Sequence, residues 1–221
     1  MPATRRPARP KPPPRALPRG GRHPLTQEAV AQSQRARLLD AVGHVVAAKG
    51  FKAATVADVI ALAGVSRRTF YEQFTDLEAC FLAAYQDGMQ NLFAAIREAL
   101  RGRADADWRE RVRLSIDAYL RTLAAAPELS WTFSVESLGA GNQALQQRGW
   151  VLEQWVAQWR ALLVRREREE PKARPVADSS LLAMVGGIEE LVRDRLRRQG
   201  ARGLPQLAGP ITEFTLAVLG G

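Results

Sequence analysis

Residues Thr55 to Phe74 read TVADVIALAGVSRRTFYEQF, and the rest of the chain can be interpreted outward from them. Thr55 stands where a helix N-cap belongs, and Asp58 follows three residues on in the reciprocal position of a capping box. Val56, Val59, Ile60 and Ala63 then recur at helical spacing, which predicts an amphipathic helix of about two turns. Gly64 comes directly after, where a left-handed backbone costs least; Val65 can tuck inward and Ser66 can cap a second helix beginning at Arg67. The intervening turn is three or four residues long, as a helix-turn-helix requires.

On the second helix Phe70 and Phe74 share one face at i, i+4 and can pack inward, while Arg67, Arg68, Tyr71 and Gln73 project elsewhere. That outer face suits a DNA major groove. Arginine reads guanine bidentately, glutamine reads adenine, and the hydroxyls of Thr69 and Tyr71 suit phosphate oxygens that fix register. Glu72 can accept from a cytosine amine, but an acid beside a polyanion more often orients a neighbouring arginine. With the two helix starts included, the expected DNA-contacting set is Thr55, Ser66, Arg67, Arg68, Thr69, Tyr71 and Gln73.

Charge supports a nucleic-acid partner. Of a net charge of +9, all lies in residues 1–75, which hold 13 Lys+Arg against 4 Asp+Glu; residues 76–221 balance at 19 of each. A basic surface alone often means only solvation, but its confinement to the segment carrying the helix-turn-helix favours phosphate binding. Residues 1–24 contain seven Lys+Arg, eight prolines and no acid, and read as a disordered arm. Such an arm can lie along phosphates or in the minor groove, or serve only as a solubilising leader. No apolar stretch follows its charges as a signal peptide requires, and none is long enough to span a bilayer, so a cytoplasmic protein without membrane contact is expected.

The remaining sequence predicts helices throughout. From Gln27 to Lys49 the residues Leu38, Leu39, Val42, Val45 and Val46 form an apolar face ended by Gly50. Asp76 can cap a long fourth helix running from Leu77 through Phe81, Tyr85, Met89 and Ile96 to Leu100, broken at Gly102. Helices from Trp108 to Ala126 and from Pro127 to Leu138 follow, the second with proline well placed in its first turn. A glycine link, Gly139 to Gly141, leads to a helix opened by Asn142 and ending at the charged run RREREE. The last two helices carry a broad apolar band: Met184, Val185, Ile188, Leu191 and Val192 around Gly186-Gly187, then Ile211 and Phe214 after a turn at Gly203. The paired glycines allow either close approach of another helix or a flexible joint.

The run from Arg37 to Phe81 resembles the DNA-binding domain of TetR-type transcriptional regulators. It does so through Lys49-Gly50-Phe51, Thr55-Val56-Ala57-Asp58, Ala63-Gly64-Val65-Ser66, Thr69-Phe70-Tyr71, Phe74 and Leu77-Glu78-Ala79. Two positions depart from the family pattern: Leu77 replaces a usual lysine that contacts phosphate, and Ile60 a usual alanine. The resemblance implies an all-α protein with an N-terminal three-helix reader (25–75) and a larger helical ligand-binding and dimerisation domain (76–221). It also implies that the last two helices pair with their copies as a four-helix bundle, with Met184, Val185, Ile188, Leu191, Val192, Ile211 and Phe214 at the interface. A C2 homodimer would set two recognition helices about 34 Å apart on a pseudo-palindromic operator.

All five tryptophans lie in the electrically balanced second part. Trp108, Tyr119, Trp131, Phe133, Trp155 and Trp159 can line an apolar pocket for a small-molecule effector, of the kind the resemblance implies, or serve as ordinary core; Trp155 and Trp159 can also simply stack. The fourth helix, joining reader to pocket, is the expected mobile link. Catalysis has little support. The only histidines are His23 in the arm and His44 among valines, and the single cysteine, Cys80, reads as a small apolar filler with a redox sensor as the alternative. Zinc-ligand spacing, a nucleophile triad and a phosphate-cradling loop are all missing from the sequence, so neither metal nor cofactor is expected. The expected protein is a ligand-responsive DNA-binding regulator, with a non-sensing architectural DNA-binding protein as the alternative.

Overall fold

The computed structural model describes residues 26–136 and 142–220. The arm of residues 1–24 with His23, the end of the predicted sixth helix at Leu138, and the Gly139–Gly141 link lie outside the described residues. The helices are α1 (Gln27–Lys49), α2 (Val56–Ala63), α3 (Arg67–Gln73), α4 (Leu77–Ala99), α5 (Trp108–Ala125), α6 (Pro127–Ser134), α7 (Asn142–Glu169), α8 (Asp178–Gln199) and α9 (Ala208–Gly220). Short 3-10 segments at Phe51–Ala53 and Ala201–Leu207 complete the regular structure among the described residues. The fold is all-α, as the periodicity predicts.

The first five helices start on side-chain caps. Thr26, Thr55, Ser66, Asp76 and Asp107 each accept from a backbone N–H three residues on, satisfying a donor that the first turn would otherwise leave unpaired. At α2 the capping box is complete in both directions.

Two main cores result. Leu38, Val42 and Val46 of α1 meet Val59, Ala63, Phe70 and Phe74 of the helix-turn-helix, and Cys80, Phe81 and Ala84 from the start of α4 close this core. The larger core joins α5, α7, α8 and α9 through Trp108, Val112, Leu120, Trp159, Leu181, Val192 and Ile211. A smaller cluster of Tyr85, Met89, Leu92 and Val151 lies between α4 and α7.

Two boundaries differ from expectation. The helix α6 stops at Ser134, and the Arg193 guanidinium donates to the Ser134 carbonyl, an acceptor that the last turn leaves unpaired, at 2.9 Å. The chain reverses after α8 at Gly200, which has φ 69°, and not at Gly203, which is buried inside the following 3-10 segment. There the Arg195 guanidinium donates to the Gly203 carbonyl at 3.1 Å, eight residues on in the chain.

Candidate nucleic-acid interface and effector cavity

The reading surface is built from the turn outward. Gly64 adopts φ 62° and ψ 41°, the left-handed region that glycine enters without steric cost, and its N–H bonds back to the Ile60 carbonyl. Arg37 reaches across from α1 and donates to the carbonyls of Ala63 at 3.1 Å and Gly64 at 3.4 Å, tying the turn to the supporting helix. Lys49, also on α1, pairs with Asp58, and this hydrogen bond with that from Thr55 holds the Asp58 carboxyl below its usual range. The helix α2 is therefore tied to α1 at both its ends.

Phe70 is fully buried and Phe74 nearly so, with the Arg35 guanidinium 4.6 Å from the Phe74 ring centroid. This anchoring turns the opposite face of α3 to solvent. Arg67, Arg68 and Tyr71 are exposed there, and the Arg67 guanidinium sits 5.6 Å from the Tyr71 ring centroid. Glu72 accepts from Arg68 Nε at 2.8 Å, the orienting role expected of it. Thr55 and Ser66 are exposed, but their hydroxyl oxygens already accept from the backbone of Asp58 and Thr69 at 3.2 and 3.0 Å. Thr69 is half-buried with its hydroxyl 2.8 Å from that of Ser66, and Gln73 is half-buried at the helix end. The structure thus exposes two arginines and a tyrosine on the outer face, with the hydroxyl residues placed to order the helix start. Arg37 escapes sequence reasoning because its partners are main-chain atoms 26 and 27 residues away.

In the second domain a cavity of about 30 Å³ is lined by Ser115, Ile116, Tyr119, Trp155, Trp159, Val185, Ile188 and Glu189. That is room for about one or two water molecules. Three of the six expected lining residues meet here: Tyr119, Trp155 and Trp159. Trp155 packs edge-on against Phe93 and Tyr119, with centroids 4.7 and 5.3 Å apart. The other three lie elsewhere. Trp108 is buried at the far end, its Nε1 donating to Glu170 at 2.9 Å. Trp131 Nε1 donates to Glu136, and Phe133 packs on Phe81 and Tyr85 against α4. Burial raises the Tyr119 hydroxyl far above its ordinary pKa, so this wall of the cavity is uncharged.

Met184, Val185, Ile188, Val192 and Ile211 of the expected dimer surface are buried in the protomer's own core. Leu191 and Phe214 are exposed at 44% and 41%, and Leu182 joins them at 48%. The side chain of Phe214 lies over Gly187, while a Cβ on Gly186 would meet nothing within 4 Å.

Cys80 is fully buried, and burial pushes its thiol up to about 12, which keeps it protonated and unreactive. His44 is half-exposed and bonded through Nδ1 to Glu128, with Asp40 3.5 Å from Nε2. Among the described residues no cluster of three or more His, Cys, Asp or Glu can hold a metal. No described helix is long and apolar enough to cross a membrane.

These features define a helix-turn-helix DNA-binding protein with a second helical domain. Residues 38–84 match the family model described as bacterial regulatory proteins, tetR family, so the reading domain is that of the tetR family. The transcriptional activator FasR of Mycolicibacterium smegmatis is 33% identical over 86 residues, which span 39% of this chain and 38% of that relative. The fatty acid degradation regulator FadR from Bacillus halodurans has a similar structure, with TM-score 0.72 and 20% identity over 84% of this chain and 98% of that one. FadR from Bacillus subtilis in complex with stearoyl-CoA gives TM-score 0.71 and 19% identity over the same shares. The likeness to the two FadR structures is one of fold over 84% of this chain, and these relatives are named as regulators.

Proposed function

We propose that this protein is a dimeric, sequence-specific transcriptional repressor released from its operator by an apolar small molecule. The observation that carries the reading is the outer face of α3, where Arg67, Arg68 and Tyr71 stand exposed on a helix whose start is fixed by Ser66 and whose inner face is anchored by Phe70. Arginines so placed match guanine edges, and the charge concentrated in residues 1–75 supplies the phosphate attraction. The exposed Leu182, Leu191 and Phe214 beside Gly186 and Gly187 support a C2 pairing through α8 and α9.

The effector is a molecule with an acyl or other apolar body. The aromatic and aliphatic walls of the cavity suit such a body, and the likeness to FadR in complex with stearoyl-CoA makes an acyl-CoA the first candidate. At about 30 Å³ the cavity is too small for such a body, so entry selects a state in which Trp155 and Trp159 have moved. A coupling of about 1 to 3 kcal/mol between the sites then shifts operator affinity about 5- to 150-fold. The small volume of the cavity equally favours a second reading, a DNA-binding protein whose second domain only dimerises.

Selection of binding sites from a random DNA pool at near-physiological salt tests the first part. A pseudo-palindrome with half-sites about one helical turn apart is expected. No enrichment, with binding that collapses as salt rises, rejects sequence-specific reading. Titrating the selected operator with stearoyl-CoA tests the second part, and unchanged operator affinity favours the non-sensing alternative. The position of the operator relative to the promoter, with transcription measured in vitro, decides between repression and activation.

A further inference from the structure

The charges of α3 run against its own helix. Arg67 and Arg68 stand in its first turn and Glu72 in its last, with no acid at the start and no base at the end. The helix dipole puts partial positive charge at the N-terminus and negative charge at the C-terminus, so both placements are unfavourable. The ion pair between them returns little. Arg68 Nε lies 2.8 Å from Glu72 Oε1, but the two side chains are 89% and 54% exposed, and a base placed N-terminal to its acid is the weaker order on a helix. On α5 the exposed pair of Asp117 and Arg121 has the favoured order, acid first. The stability of α3 therefore does not account for an acid at position 72.

The geometry of the pair does. Glu72 engages the Nε edge of a planar guanidinium whose Nη1 and Nη2 form a separate fork, and guanine presents O6 and N7 as the matching acceptors in the major groove. Holding Nε orients that fork before DNA arrives, so less freedom is lost on binding. The carboxylate has a second effect. An arginine finds a phosphate on any sequence, whereas an acid hydrogen-bonded to it opposes its approach to the anionic backbone. Arg67, one residue away, packs instead on the Tyr71 ring. With 13 Lys+Arg against 4 Asp+Glu in residues 1–75 the protein is drawn to every duplex, so discrimination needs rejection as well as attraction.

We propose that Glu72 is a positioning residue that sets specificity through Arg68: it aims the arginine at a guanine and opposes its use on phosphates, so that random DNA is disfavoured. At the operator, Arg68 Nη1 and Nη2 donate to O6 and N7 of one guanine in each half-site while Glu72 keeps Nε. On other sequences the pair stays closed and nearly neutral and adds little to phosphate attraction. This inference rests on the sequence-specific reading above and assigns it one base of the half-site.

The test uses the whole chain, site selection from a random DNA pool, and titrations of the selected operator and of a random-sequence duplex over a range of salt. Arg68→Ala is expected to lose a guanine preference of about 5- to 150-fold at one position of each half-site. Glu72→Gln keeps the size of the side chain and removes its charge. It is expected to bind the random duplex about 3- to 10-fold more tightly, with a salt dependence steeper by up to about 2 for a dimer, one phosphate contact per released arginine. The same variant weakens the guanine preference at the position that Arg68→Ala abolishes, and adds no further loss there in the Arg68→Ala background. Asp117→Asn, which removes an exposed acid on α5, leaves random-DNA binding as in the wild type. Unchanged random-DNA affinity in Glu72→Gln, an unchanged guanine preference, or an equal gain in Asp117→Asn overturns the proposal. If the wild type enriches no sequence, the sequence-specific reading fails and this inference with it. If it enriches a pseudo-palindrome and Glu72→Gln behaves as the wild type does, only this inference fails.

Discussion

Where α2 and α3 begin, Thr55 and Ser66 close the helix ends with their own side chains; where α6 and α8 begin, Ala126 and Ala177 have no side chain that can do so. The reading domain is specified over three or four residues at a time. The second domain depends on contacts between distant segments: Ser134 on Arg193, Trp108 on Glu169 and Glu170, Arg148 on Glu189. Local specification gives a surface that keeps one shape. Tertiary specification gives helices whose ends depend on partners elsewhere in the chain, as the proposed effector response would require.

The sharpest way to break this contrast is to remove Phe70, the fully buried anchor of α3. Phe70→Ala is expected to cost about 3 to 5 kcal/mol and to unfold the reader while the larger core persists. Urea unfolding followed at helices of both domains by hydrogen exchange checks this. A single transition shifting as a whole would show that the two regions are one cooperative unit.

Arg67→Ala comes next, with an expected loss of about 1 to 3 kcal/mol on the selected operator, little change on random DNA, and relaxed preference at one base position. Equal losses on both DNAs would make Arg67 a phosphate contact. Ser66→Ala should cost about 1 kcal/mol of stability by leaving the Thr69 N–H without its cap, read as a lower urea midpoint. The complementary change supplies a cap where the second domain lacks one. Ala177 has the extended backbone of a cap residue, so Ala177→Ser is expected to raise the midpoint by a few tenths to about 1 kcal/mol. No gain would mean that packing already satisfies the start of α8.

The last effect is confined to alkaline pH. The folded Cys80 thiol is raised from 9.0 to about 12, so the unfolded thiol ionises first. Its contribution to stability is complete below about pH 9 and falls as pH climbs toward 12. Cys80→Ala should flatten that part of the alkaline decline, measured as the urea midpoint against pH.

What could be read from the sequence follows the same division. Thr55, Asp58, Gly64 and Ser66 announce the reader because a cap and its partner are near neighbours in the chain, and the buried faces of α1 and α4 follow from their period. The end of α6 and the reversal at Gly200 escaped because neither coincides with a break in the apolar period, and two glycines three residues apart, Gly200 and Gly203, compete for the turn. Of the aromatic residues, Tyr119, Trp155 and Trp159 reach the cavity, whereas Trp108, Trp131 and Phe133 do not. Composition cannot separate the two groups, since a buried tryptophan looks the same from the sequence whether it faces a void or a neighbour. Glu189 and Arg193 were invisible for a related reason: on a charged helix their spacing reads as solvated surface until Arg148 of α7 is seen to donate to the first and Ser134 of α6 to accept from the second.

The placement of the tryptophans has an optical consequence. All five lie beyond residue 100, with Trp131 on α6 itself and Trp155 and Trp159 against the cavity, while the helix-turn-helix contains none. Under selective excitation the reading helices are therefore dark, and all of the emission comes from the other half of the molecule. A change in colour or intensity on adding DNA cannot arise where the DNA is touched; it has to have crossed the junction first, so the protein carries its own reporter of that crossing.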